Sequence, residues 1–145
     1  MTTPLERLND LGLELPPAAK PQGMYVPTLI VGDLLYTAGH LPIKPDGSMI
    51  CGIVGEHLDV EAGQHAAQLA GLAILSSVQA ALGDLDRVKQ LVKVMGLVNC
   101  ASDFTQHPQV INGASALFKQ VFGDQRGTGT RTAFGAVSLP LGVAV

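Results

Sequence analysis

The stretch Val88–Cys100 most strongly constrains the fold, because it is apolar on both of its faces. Its apolar residues include Leu91, Val92, Val94, Met95, Leu97 and Val98. A strand with one face in water alternates apolar and polar side chains, so continuous apolarity indicates that both faces are covered. One layer of helices covers only one face, and we therefore predict that a partner subunit covers the other.

Composition leads to the same prediction. Hydrophobic residues make up 47% of the 145 residues and charged residues only 14%, against about 25% in a typical globular protein. A single domain of this length has a large surface to cover with few charges. The surplus apolar surface predicts an oligomer interface. No apolar run reaches the roughly 18 residues that a membrane span requires, and no membrane partner is expected.

Turn, cap and proline signals divide the chain into elements. Helices are predicted over Pro4–Gly12, Asp59–Leu82 and Pro108–Phe122, and strands over Val26–Val31, Leu34–Ala38, Met49–Val54, Val88–Cys100, Thr130–Ser138 and Val143–Val145. Leu15–Gly23 holds three prolines and is predicted to be an extended arm. The order predicts one α+β domain over residues 1–145, with a mixed sheet and two helices on one face. Residues 1–23 form its N-terminal helix and arm.

Arg131 is the only charged residue between Gly127 and Val145, and it lies on the predicted strand Thr130–Ser138. Arginine does not lose its proton in proteins, and its planar fork suits a carboxylate. The functional hypothesis is a carboxylate-binding arginine on a rigid strand. The simpler interpretation of the strand alone is an arginine at a solvated strand end, with or without a Glu or Asp partner. Tyr25, Gly39 and Asn112 could surround it, but periodicity alone does not bring them together.

Several other chemistries are disfavoured. The net charge is −3 and no basic run occurs, which argues against a nucleic-acid partner. The histidines do not fall at metal-ligand spacings, so no metal is expected: His40, His57, His65 and His107. No glycine-rich dinucleotide motif follows a strand, and no cofactor is expected.

Cys51 and Cys100 are predicted to be buried free thiols of a reducing compartment. A cysteine–histidine nucleophile is conceivable, but apolar surroundings raise the pKa of a thiol and favour an inert role. Polar residues interrupt the N-terminus where a signal peptide would be apolar. The protein is therefore expected to be cytoplasmic.

An ordered set of short motifs resembles the YjgF/RidA family, the reactive intermediate deaminases also known as L-PSP endoribonucleases. The motifs are GMYVP at Gly23–Pro27, LLYTAGHLP at Leu34–Pro42, VKVMGLVN at Val92–Asn99, DF at Asp103–Phe104, VIN at Val110–Asn112 and RTAFGAVSLP at Arg131–Pro140. The resemblance covers about Pro16–Val145. The leading helix resembles a family branch with an N-terminal extension.

The resemblance implies a chorismate-mutase-like fold and a homotrimer with clefts between subunits. It implies that Arg131 binds the carboxylate of a 2-imino acid while water attacks the imine carbon, giving a 2-keto acid and ammonia. Tyr25 and Asn112 match cleft-lining positions, and Gly39 and Ala133 would act through backbone groups. The alternatives are a trimer that binds a small carboxylate or a partner without catalysis and, third, an endoribonuclease or translation inhibitor, which the acidic charge disfavours.

The sequence also departs from the family pattern. Ala38 stands where relatives carry a serine, His40 where they carry a glutamine, and Ala133 where many carry a cysteine. The family's water-positioning glutamate would fall one residue beyond Val145. Ala38 and the position of this glutamate favour a binding role, whereas Arg131, Tyr25 and Asn112 favour the deaminase.

Overall fold

The structure is a computed structural model that describes residues 1–21 and 23–145. Within them the chain forms three α-helices and four β-strands. In chain order these are α1 (Pro4–Asp10), β1 (Thr28–Val31), β2 (Leu34–Thr37), α2 (Val60–Leu82), β3 (Lys93–Asn99), α3 (His107–Phe122) and β4 (Thr130–Ala136). Short 3-10 turns occupy Leu85–Arg87 and Pro140–Gly142. The α+β class is as predicted.

The strands pair in two ways. β1 and β2 form an antiparallel hairpin, with Thr28 opposite Thr37, around the predicted Gly32-Asp33 turn. Gly32 has a φ of 59°, a left-handed conformation that glycine adopts without a steric penalty. β3 and β4 pair in parallel from Lys93–Thr130 to Asn99–Ala136, and α3 is the crossover between them. This crossover places α3 against the β3–β4 pair.

The predicted single sheet is interrupted. In the described part of the chain, the predicted strand Met49–Val54 forms isolated bridges instead, from Cys51 to Val143 and from Val54 to Cys100. Gly52, with a φ of 128°, breaks the extended backbone. The predicted strand Val143–Val145 is likewise reduced to a bridge, after the 3-10 turn that precedes it. Backbone hydrogen bonds through Ala144 still link these segments laterally to the end of β3.

The long apolar strand is also shorter than predicted, since it begins at Lys93 and not at Val88. Before it, the Leu91 N–H donates to the Arg126 carbonyl, so this segment bonds to the loop that precedes β4. One face of β3 packs against α3. On the other side Met95 is 61% exposed, so a single chain does not cover both faces.

Helix α2 is the centre of the core. The Asp59 carboxylate accepts from the Ala62 N–H and caps the helix, and Gly83 ends it, as predicted. Contrary to the expectation from the sequence, α2 is long and apolar enough to cross a membrane by length and composition. Yet 61% of its apolar window is buried inside the domain, which identifies it as a core helix.

The N-terminal segment packs onto the domain. Helix α1 begins with a reciprocal cap, in which the Thr3 hydroxyl accepts from the Glu6 N–H and the Glu6 carboxylate accepts from the Thr3 N–H. These hydrogen bonds lower the pKa of Glu6. In the arm, the Pro16 carbonyl accepts from the Ser76 hydroxyl of α2. The predicted arm Leu15–Gly23 includes residue 22, which lies outside the described residues.

Leu8 is expected to fix α1 to the core. It is 2% exposed, whereas Leu5 on the same helix is 38% exposed. Leu8→Ala should lower the free energy of unfolding by about 2–5 kcal/mol, because it leaves a cavity in the core. Leu5→Ala is the matched control and should cost less than about 1 kcal/mol. Urea unfolding measures both, and equal costs would contradict this role of Leu8.

Candidate functional site

Arg131 projects from β4 onto α3. Its Nη1 donates to the Asn112 Oδ1 at 2.7 Å and to the Ser115 Oγ at 3.1 Å. Asn112 and Ser115 are three residues apart and therefore share one face of the helix. Arg131 itself remains exposed to solvent. Two neutral acceptors thus orient the guanidinium without neutralising it.

A second arginine, Arg126, is neutralised by an ion pair within the chain. Arg126 Nη1 lies 3.1 Å from the Asp86 Oδ1, and Arg126 also donates to the Val88 carbonyl. Among the described residues, the ion pairs are Arg126–Asp86 and Lys119–Asp124. Arg131 is exposed at the start of its strand, as the simpler interpretation predicts, but within residues 1–21 and 23–145 it forms no ion pair with Glu or Asp. Its charge is available to an external anion.

A groove of ≈ 210 Å³ opens beside Arg131. Leu91 and Val94 provide its apolar lining, while Ser115 and Lys119 line it from α3. The loop residues 127–130 complete it. A groove with this lining can hold a small molecule that is anionic at one end and apolar in the middle.

Tyr25 and Gly39 form a separate group on the hairpin. Tyr25 precedes β1, Gly39 follows β2, and the Ala38 N–H donates to the Pro27 carbonyl at 2.9 Å. The antiparallel register therefore puts both residues at the open end of the hairpin. Both are exposed, and the groove beside Arg131 has neither of them among its lining residues. The structure thus brings Asn112 to Arg131 and places Tyr25 and Gly39 elsewhere in the chain.

Ala133 lies two residues beyond Arg131 on β4 and shares its face. It is half-buried, opposite Gly96 of β3, and packs against the cluster that contains Ile111 of α3. Its side chain serves as packing. The predicted role of its backbone groups remains a prediction.

His40 fixes the backbone next to Gly39. Its Nδ1 lies 2.8 Å from the Ala38 carbonyl oxygen, and its Nε2 lies 2.8 Å from the Oγ of the buried Ser77. A carbonyl can only accept, so Nδ1 carries the proton and donates, while Nε2 forms a hydrogen bond with the Ser77 hydroxyl. The histidine therefore anchors the end of β2 to the core helix α2.

Cys100 and His107 meet at a second groove, of ≈ 360 Å³, at the other end of the β3–β4 pair. The Cys100 Sγ lies 3.4 Å from the His107 Nε2, and the Phe104 ring contacts the imidazole edge to face. Burial raises the pKa of Cys100, which keeps the thiol protonated at neutral pH. The inert role remains the better interpretation. Cys51, in contrast, is exposed, so the prediction that it is buried was wrong.

The sequence reasoning missed Ser115 and Lys119. Together with Asn112 they occupy positions i, i+3 and i+7 of α3, a spacing that places all three on one helix face. This spacing was the available signal. It becomes informative only once β4 is known to pack beside that face.

The fold and the site together define the class of this protein. It is an α+β domain with a β–α–β unit and a separate hairpin, and it carries an exposed arginine held by neutral partners. Residues 5–144 match the family described as "YjgF/chorismate mutase-like, putative endoribonuclease". The chain belongs to this family. The match includes almost all of α1.

Three relatives cover nearly the whole chain. Protein TCP17 of Trypanosoma cruzi is 44% identical over 138 residues, which cover 95% of this chain and 86% of that protein. The crystal structure of Atu1372 from Agrobacterium tumefaciens superposes with a TM-score of 0.87 at 40% identity, covering 95% of this chain and 85% of that one. A structure from Shewanella oneidensis, described as a "putative endoribonuclease", gives a TM-score of 0.94 at 34% identity, covering 99% and 94%.

The two cysteines should differ in reactivity toward iodoacetamide. The thiolate is the reactive form, so the exposed Cys51 should be alkylated first near pH 7. Because the pKa of Cys100 is raised, its alkylation should accelerate only at more alkaline pH. Mass spectrometry of peptides after timed alkylation measures both rates. Faster alkylation of Cys100 at pH 7 would show instead that His107 activates its thiol.

Proposed function

We propose that this protein hydrolyses reactive 2-imino or enamine acids to 2-keto acids and ammonia. The observation that carries the proposal is the uncompensated charge of Arg131, which Asn112 and Ser115 hold in a fixed orientation. Among the described residues only Nη1 of this arginine has a hydrogen-bond partner, so Nε and Nη2 are left for a ligand. A carboxylate can accept from this edge of the guanidinium with both oxygens.

The reaction requires the protein only to bind the substrate carboxylate and to orient the imine carbon toward water. Arg131 binds the substrate carboxylate and fixes the position of the adjacent imine carbon. Water adds to that carbon, ammonia leaves, and the 2-keto acid remains bound through the same carboxylate. Neutralising the carboxylate and orienting the substrate contribute most of what such a hydrolysis needs.

One relative supports a small ligand with a carboxylate. TdcF of Escherichia coli, 20% identical with a TM-score of 0.58, has a crystal structure with bound serine. Serine carries the carboxylate and the α-nitrogen that a 2-imino acid also has. At this identity the support comes through the fold alone.

We further infer that the protein assembles as a homotrimer. Large apolar side chains are exposed on both strand pairs: Leu29, Ile30, Val31, Tyr36, Met95 and Phe134. Exposed apolar area of this extent is typical of a subunit interface. In the proposed trimer, Tyr25 and Gly39 of one subunit join Arg131 and Asn112 of a neighbour to complete each cleft.

A second function is favoured by one observation. Ala38 presents a methyl group at the end of β2, and its carbonyl is already bonded to His40. A methyl group cannot hydrogen-bond a ligand. The cleft would then bind a small carboxylate without accelerating the hydrolysis of an imine. The third candidate, an endoribonuclease, is not proposed, because the net charge is −3 and the sequence has no basic run to follow an RNA backbone.

The deaminase is tested with 2-iminopropionate that an amino acid oxidase generates in situ. The full-length protein should accelerate loss of the imine above the spontaneous rate, and Arg131→Ala should abolish this acceleration. Arg131→Lys should weaken carboxylate binding on the order of tenfold, because an ammonium cannot reproduce the two-pronged contact. Absorbance of a semicarbazone product reports imine loss, and calorimetry with pyruvate reports binding.

Arg87→Ala is the matched control, since Arg87 is an exposed arginine that donates to the Leu82 carbonyl. It should leave both readouts unchanged. Acceleration that persists in Arg131→Ala would exclude the assigned role. Pyruvate binding without acceleration would support the non-catalytic function, and Ala38→Ser would then test whether a hydroxyl restores catalysis.

The trimer is tested by the mass of the particle in solution. Light scattering should give three times the chain mass of 15.1 kDa. Met95→Asp, on the exposed side of β3, should shift the particle toward monomers, because an interface core excludes unpaired charge. Leu5→Asp makes the same change on α1 and should leave the mass unchanged. A wild-type monomer at micromolar concentration would contradict the inference.

A further inference from the structure

The groove beside Arg131 contains a second cation. Lys119 of α3 lines it together with Ser115 and Arg131. Asn112, Ser115 and Lys119 lie on one helix face, and Arg131 is bound to the first two. Lys119 stands one turn beyond Ser115, about 6 Å along the helix axis. Arg131 and Lys119 therefore line the same groove, and Lys119 lies one helical turn beyond the Ser115 to which Arg131 is bound.

The Lys119 ammonium is held by a weak, exposed ion pair with Asp124. Its Nζ lies 3.4 Å from the Asp124 Oδ1, and the two side chains are 48% and 91% exposed. Such exposed pairs are weak and screened by salt. A ligand anion in the groove, partly shielded from water by Leu91 and Val94, can compete with Asp124 for this ammonium.

The volume of the groove accommodates a small ligand with two anionic groups. A volume of ≈ 210 Å³ equals that of about seven water molecules in the liquid. This is enough for a keto or imino acid of four or five carbons. A single phosphate or sulfate concentrates its charge at one centre, whereas a dicarboxylate can place one carboxylate at each cation.

We propose that the groove selects 2-imino acids with a second carboxylate in the side chain. Arg131 binds the α-carboxylate, Lys119 binds the distal carboxylate, and Leu91 and Val94 contact the methylene groups between them. This selectivity rests on the carboxylate role of Arg131 in the proposed function. Asp124 acts as a competitor that holds Lys119 when the groove is empty.

The experiment compares 2-oxoglutarate with pyruvate as calorimetric probes, and 2-iminoglutarate with 2-iminopropionate as substrates. The wild type should favour the dicarboxylate in each pair, more strongly at low salt. Lys119→Gln should lower the dicarboxylate-to-monocarboxylate ratio about three- to tenfold. Asp124→Asn should raise the same ratio, since Lys119 loses its competitor. Lys89→Gln, an exposed lysine outside the groove lining, is the matched control and should leave the ratio unchanged.

The binding and turnover readouts separate the two proposals. If neither imine is hydrolysed but 2-oxoglutarate binding responds to Lys119→Gln and Asp124→Asn as expected, the deaminase fails and the dicarboxylate groove stands. If the ratio is the same in the wild type, Lys119→Gln and Lys89→Gln, the selectivity is overturned whatever the turnover. Equal responses to sulfate and 2-oxoglutarate would also overturn it, since a single anionic centre would then suffice.

Discussion

The close packing of α2 against α3 is the contact on which the site depends. Gly113 of α3 lies directly against the Gln64 carbonyl of α2, so close that a Cβ on Gly113 would clash with it. Gly63 and Gly71 of α2 likewise leave room for Val110 and Leu117. Gly96 of β3 also lies close to Ile111 of α3, so glycines determine the position of α3 relative to both α2 and β3. The polar face of α3 then meets β4 where Arg131 projects.

The two arginines near β4 differ in how their charges are compensated. Arg126 donates hydrogen bonds to Asp86 and to the Val88 carbonyl, which connect the loop before β4 to the segment before β3. Arg131 receives only neutral partners, which set its direction and keep its charge. An arginine oriented in advance loses less side-chain entropy on binding. The same fold therefore contains an arginine neutralised within the chain and another whose charge is left uncompensated, which is what the proposed function requires.

The ends of α2 and the hairpin turn, which depend on residues close together in sequence, were predicted correctly from local sequence signals. The cap at Asp59, the stop at Gly83 and the Gly32-Asp33 turn appear where the sequence placed them. The sheet was less predictable, because the apolar run Met49–Val54 does not reveal that Gly52 breaks its backbone. The family resemblance named Arg131 and Asn112, which the structure joins. Ser115 and Lys119 required the packing of β4 beside α3, a contact between residues distant in sequence, and the exposure of Cys51 likewise depended on tertiary packing.

The hairpin links the site to assembly. Successive side chains of a strand point to opposite faces, yet Leu29, Ile30 and Val31 of β1 are all more than half exposed. A two-stranded hairpin is marginally stable by itself in water. Within one chain it is connected to α2 through the His40–Ser77 hydrogen bond and packs on the core through Leu35. In the proposed trimer, surfaces from other subunits cover these exposed side chains and hold the hairpin in shape. Since Tyr25 and Gly39 lie at the end of this hairpin, the same subunit contacts would also fix their positions. In the proposed trimer, assembly and completion of the cleft are consequently one event, and a dissociated subunit retains Arg131 with only its own half of the site.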